Sequence, residues 1–172
     1  LEDNAADHLG LHLSRFGNVS TLNRLYNQEN ARGLLMRKGA DPALRGAVAD
    51  SRDEAYGFFT PFENVLREHN ESALEIQDPS RFPNRLSAKL EQLYRSLAQF
   101  IEGQEDASFR TEVEAQLTRC REFIVGIDQF TRKLVPDAVY YAESERGSVS
   151  LHATPLNVSE LLSELLFHQD FP

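Results

Sequence analysis

Few side chains in this sequence are spaced for chemistry. His8 and His12 lie four residues apart with Asp7 beside them, the spacing of two metal ligands on successive helical turns. No further ligand pattern accompanies them, so two helix-surface histidines are the simpler reading. Cys120 is the lone cysteine, which excludes an internal disulfide and a cluster held by this chain's cysteines alone. It falls on an apolar helical stripe, where a free thiol behaves as a small hydrophobe. Nucleotide chemistry is missing its usual parts: there is no Gly-x-x-x-x-Gly-Lys-Ser/Thr loop, no Asp-Glu-Ala-His and no arginine-finger motif. The chain has no phosphate-cradling loop of its own with which to hydrolyse ATP. A Gly-x-Ser-x-Gly elbow is also absent.

Charge offers a different kind of chemistry. With 27 acids against 18 bases the net charge is −9, which opposes autonomous binding to a polyanion. The bases are nevertheless clustered. Arg32, Arg37, Lys38 and Arg45 face only Asp41 in their stretch. Arg81, Arg85, Lys89, Gln92, Ser96 and Gln99 follow helical spacing with no acid among them. Such a stripe can contact single-stranded DNA phosphates, with Gln and Ser adding neutral hydrogen bonds. It can equally be a solvated flank whose long stems cover an apolar seam. Glu91 and Arg95 form an ordinary i,i+4 pair elsewhere on the same helix.

The elements that must carry these residues are mainly helical. Ala5, Leu9 and Leu13 suggest a short helix from Leu1 to about Leu13. A second follows Gly17-Asn18 through Val19, Leu22, Leu25 and Tyr26, and Gly39-Ala-Asp-Pro42 is a stop. Asp50 or Ser51 can cap a third, which Pro61 should kink or divide. A polar loop is expected from Glu71 to Pro83. Then Leu86, Leu90, Leu93, Leu97 and Phe100 alternate steps of four and three, as do Val113, Leu117, Cys120, Ile124, Ile127, Thr131 and Leu134. A 3.5-residue repeat keeps one seam facing a partner, so residues 84–102 and 107–134 should fold as an antiparallel heptad hairpin. After Pro136, Ala138–Glu143 and Ser148–His152 read as a β-hairpin turning at Glu145-Arg146-Gly147. The fold class is therefore a mainly α bundle with a small C-terminal β-hairpin. Residues 1–137 form the helical part, and 138–172 the hairpin and a further helix opened by Asn157. The 41% hydrophobic content is globular, and no apolar run reaches the roughly 20 residues of a membrane span. Neither a signal peptide nor an initiator Met is visible, which suggests an excised cytoplasmic fragment.

Both ends carry a resemblance. Leu151-x-Ala153-x-Pro155-Leu156, then Val158, Leu161, Leu162, Leu165 and Phe167, resembles a segment of the DinG/XPD-type superfamily-two DNA helicases. In that family it leads from a large helical insertion back into the first motor domain, just before the Ser-Ala-Thr motif; here the residues themselves read as a strand, an Ala153-Thr-Pro-Leu156 turn and a helix. Leu1-Glu-Asp-Asn-Ala-Ala-Asp-His-Leu is similar to the helix that follows the family's DEAH box. The matches cover roughly the terminal fifth of the chain, in the right order. The resemblance implies a non-catalytic arch domain that confines or senses single-stranded DNA during 5′–3′ unwinding, in the setting of DNA repair. Its partners would be that DNA and the motor domains of the same chain. ATP with Mg²⁺, and usually an iron–sulfur cluster, would belong to the parent and none of them to this segment. The DNA-contact candidates are Arg81, Arg85, Lys89 and Gln92, with Arg32, Arg37 and Lys38. The competing expectation is a free-standing helical module that binds a protein through the hairpin.

Overall fold

The computed structural model describes residues 10–157, and helices begin in it where capping chemistry allows. Ser14 caps α1 (Arg15–Leu25) by accepting the Gly17 N–H at 2.9 Å. Asp41 caps α3 (Pro42–Glu68) through the Leu44 N–H at 2.8 Å, and Asp106 caps α5 (Ala107–Thr131) through Phe109 at 3.0 Å. Each such cap stabilises its helix by about 1 kcal/mol. Between them lie the single turn α2 (Leu34–Arg37) and α4 (Leu86–Glu102). The described residues are mainly helical, as periodicity suggested.

Several local expectations need correction. The third helix starts at Pro42, well before Asp50 or Ser51, because Asp41-Pro42 supplies both a cap and a first residue with no N–H to satisfy. It also runs undivided through Pro61. The lost hydrogen bond and ring clash, about 3 kcal/mol or more, are offset by burial of Phe58, Phe59 and Phe62 around it. Leu11–Ser14 is a strand, β1, and not the end of a helix; residues 1–9 lie outside the described part. The expected loop holds a short edge strand β2 (Ala73–Glu75) and a 3-10 turn at Pro79–Arg81. Ala153-Thr-Pro155 ends strand β4 where a turn was expected, and the helix opened by Asn157 falls outside the described residues.

The β-hairpin is consequently the centre of a four-stranded antiparallel sheet. Strands β3 (Ala138–Glu145) and β4 (Ser148–Pro155) pair in register, with β1 added to β4 and β2 to β3. Leu13 faces Leu151, and Leu74 faces Ala142. Strands from both sides of residue 137 therefore share one sheet. At the β3–β4 turn Arg146 and Gly147 both have positive φ, 52° and 76°, the mirror-image turn that matches strand twist. One sheet face, with Leu13, Tyr140, Ala142, Val149, Leu151 and Ala153, is buried under the helices.

Aromatic rings join the sheet to the helices. Phe62 stacks on Phe82 at 4.0 Å and meets Phe130 edge-on at 5.9 Å, and Phe130 meets Tyr140 at 5.6 Å. The Tyr140 hydroxyl accepts the Val135 N–H at 2.7 Å and donates to the Val135 carbonyl at 2.9 Å. Desolvation raises its pKa above the ordinary phenol value, outweighing that backbone hydrogen bond.

Helices α4 and α5 pack together, Phe100 meeting Phe109 near the connection and Arg121 lying over Tyr94. Leu86, Leu90, Leu93 and Leu97 are buried as expected, but Ile101 replaces Phe100 at the last seam position. On α5 the expected positions Val113, Leu117, Cys120 and Ile127 are buried, but Ile124 is only half-buried and Leu134 is 49% exposed beyond the helix end. Two causes combine. A straight helix drifts about 20° per heptad from a 3.5-residue repeat. The second half of α5 also serves another partner, β1. A Cβ on Gly126 would come within 2.6 Å of Leu13 Cδ2, so glycine there permits the close approach. Truncating Leu93 to Ala should cost about 2–5 kcal/mol. Ile124→Ala should cost clearly less. Chemical denaturation giving equal losses would place Ile124 back in the core.

Candidate functional site

The acid-free stripe lies on α4 and the turn before it. Arg85 and Gln92 are exposed and Lys89 is half-exposed. Neither Arg85 nor Lys89 has an ion pair among the described residues. Gln92, Ser96 and Gln99 line a shallow groove of about 470 Å³ against Asp41 and Ala47 at the start of α3. The Ser96 hydroxyl donates to the Gln92 carbonyl at 3.1 Å, so its proton is already used. Arg81 differs from the rest: its Nε lies 3.1 Å from Asp78 Oδ2. The Ser80 hydroxyl, ahead of Arg81, holds the Asp78 carboxyl below its ordinary value. Arg95 pairs with Glu91 at 3.5 Å, off the stripe.

The other basic group is tied down more tightly. Arg37 reaches Glu112 at 2.9 Å and Lys38 reaches Asp106 at 2.9 Å, both above the Phe109 ring. The Phe109 N–H, with Lys38 second, keeps the Asp106 carboxyl below its ordinary value. Arg45 lies over Tyr26 at 5.8 Å. Arg37 and Lys38 thus strap α2 and the loop after it onto α5, while Arg45 joins α3 to the end of α1. Arg32 is exposed beside the bridge that its backbone makes with Asn27.

The paired histidines on one helix do not form. His12 is on β1, where it stacks on His152 of β4 at 4.7 Å. His152 in turn stacks on Tyr141 of β3 at 4.7 Å, with its Nε2 3.1 Å from Glu143 Oε2. The register that aligns His12, His152 and Tyr141 makes a row of rings across the outer sheet face. His8 lies outside the described residues. Among the described residues no group of three or more His, Cys, Asp or Glu is placed to hold a metal ion. Among them, too, no helix is long and apolar enough to cross a membrane.

A third cationic feature was not legible as a pattern. A groove of about 480 Å³ runs between the start of α1 and the β3–β4 turn, lined by Arg15, Arg24, Arg146, Phe16 and Tyr56 among others. Its residues come from three places in the chain, one face of α1, Tyr56 of α3 and the β3–β4 turn, and only three-dimensional proximity brings the three together. The Gly147 turn was the one signal available in advance.

No protein-family model matches the chain, and neither a curated protein nor a solved structure matches it.

Cys120 is buried, and desolvation pushes its thiol up to about 12, so the thiolate needed for nucleophilic attack is suppressed. A disulfide-exchange reagent at mildly alkaline pH should therefore leave the folded chain unmodified and react with one thiol on unfolding. Rapid labelling of the native chain would show the α4–α5 seam to be open.

Proposed function

We propose that this chain is the non-catalytic arch domain of a DinG/XPD-type DNA helicase, confining or sensing single-stranded DNA while motor domains of the same polypeptide hydrolyse ATP. One observation carries the reading: β1 and β4 lie side by side and antiparallel, with Leu11 opposite Ala153. The path into the helical body and the path out of it thus meet at one edge. A domain inserted into a host fold needs that arrangement, because the host continues on both sides of the insertion. The two segments that resemble the family flank this junction, which supports the same reading.

In this reading α4 and α5 form the long antiparallel heptad hairpin that rises over the strand path. Arg85 and Lys89 contact phosphates, and Gln92 adds a neutral hydrogen bond. Arg32, Arg37, Lys38 and Arg81 are secondary contacts, since three of the four already have carboxylate partners. ATP, Mg²⁺ and any iron–sulfur cluster belong to the parent's motor domains, in the cytoplasm. The chain's own −9 charge makes it a poor DNA binder alone, and the motors supply the main hold on the strand.

The test uses the parent. Arg85→Glu with Lys89→Glu should lower 5′–3′ unwinding several-fold while thermal stability is kept. The slope of log affinity against log salt should fall by about 1.4, two contacts at roughly 0.7 each. Arg95→Gln, which removes only the surface pair with Glu91, should leave unwinding unchanged. Unaltered unwinding and salt dependence in the double reversal would reduce the stripe to a solvated flank.

A further inference from the structure

We propose that the groove between the start of α1 and the β3–β4 turn binds single-stranded nucleic acid, Arg24 and Arg146 holding phosphate and Phe16 offering a ring face to a base, with Tyr56 beside it under Arg15. The inference rests on the arch-domain reading for its biological setting and deepens it by naming a second contact site.

The charge of the lining is the first reason. Three arginines line the groove and no carboxylate does, on a chain with 27 acids to 18 bases. Arg15 is anchored there: it donates to Glu63 at 2.8 Å and to the Gly147 carbonyl at 2.9 Å, and its guanidinium lies 5.6 Å from the Tyr56 ring centre. It therefore acts as a positioning residue that fixes the turn and Tyr56 relative to α1. Arg24 and Arg146 have no ion pair among the described residues, which leaves their charge for a ligand.

Apolar exposure is the second reason. Phe16 is 72% exposed and Tyr56 46% exposed. Exposed rings beside unpaired arginines are how proteins take single strands without sequence preference, because every base has a face to stack. A phosphopeptide would use the arginines and leave the rings idle. The amides at the start of α1 are already occupied, Gly17 by Ser14 Oγ and Phe16 by Ser148 Oγ, so helix-end anion binding is not what the groove offers. A second groove shares Phe16, Arg146 and Ser148 with the first and contains Glu145, so phosphate is favoured on the Arg24 side.

Backbone conformation is the third reason. Arg146 holds φ 52° at a turn position that prefers Asn, Asp or Gly. A long cation in that position is locally unfavourable, so the turn itself does not call for the arginine.

The same feature makes the test clean, since Arg146→Asn suits the turn better than the native residue and should not unfold the chain. Binding of fluorescein-labelled oligothymidylate to the 172-residue chain is followed by anisotropy at low salt. Binding should be weak but saturable. Arg24→Gln with Arg146→Asn should abolish most of it and lower the salt slope by about 1.4. Phe16→Ala should weaken binding about tenfold with the slope unchanged. No binding by the native chain, or variants that bind as it does, would overturn the proposal. So would inorganic polyphosphate or a phosphopeptide binding as tightly as the oligonucleotide. Loss of binding only in Arg85→Glu/Lys89→Glu would sink the groove and leave the arch-domain reading standing. Groove-dependent binding supports the inference even if the parent proves unable to unwind DNA.

Discussion

The pairing of β1 with β4 is the constraint on which the rest of the molecule depends. Leu13 opposite Leu151 places the first described strand against the last and closes the chain between them into one body. Helix α1 begins at the residue after β1, so its direction is set by that strand, and Arg15 at its start reaches both Glu63 of α3 and the turn of the central hairpin. Helix α5, besides packing on α4, lies against Leu13, and glycine at 126 is what lets it. Separating β1 from β4 would remove a sheet edge and the surface that α1 and α5 pack on. A short strand therefore has an influence out of proportion to its length.

How much of this could be read in advance followed from how local each determinant is. The burial of Leu86, Leu90, Leu93 and Leu97 and the Glu145-Arg146-Gly147 turn are written in neighbouring residues and were legible. Strand β1 was not. Leu9 and Leu13 also fit a helical period, and only the distant partner Leu151 decides for the strand. Strand β2 is three residues in a polar stretch, held as an edge by pairing with Tyr141, Ala142 and Glu143. Pro61 misled because local propensity was overridden by three buried phenylalanines. Ile124 misled because the heptad repeat assumed one partner for α5 and the helix has two.

The candidate sites divide in the same way. The stripe on α4 has a helical period, so Arg85, Lys89 and Gln92 were found together in the sequence and remain on one element. Periodicity could not show that Arg37 and Lys38 are held by Glu112 and Asp106, nor that Arg81 is held by Asp78. Nor could it assemble Arg15, Arg24, Tyr56 and Arg146, which meet only because β1 and the β3–β4 turn fix the start of α1. What separates these cations is which of them the fold leaves without a carboxylate.

The central claim is that this body is an insertion within a helicase motor domain, entered and left at one sheet edge. Its most direct measurement is the coding sequence on either side of the chain. The account predicts Asp-Glu-Ala-His just upstream of Leu1 and Ser-Ala-Thr just downstream of Pro172. An unrelated domain, or a start and a stop codon, at those two places would contradict it.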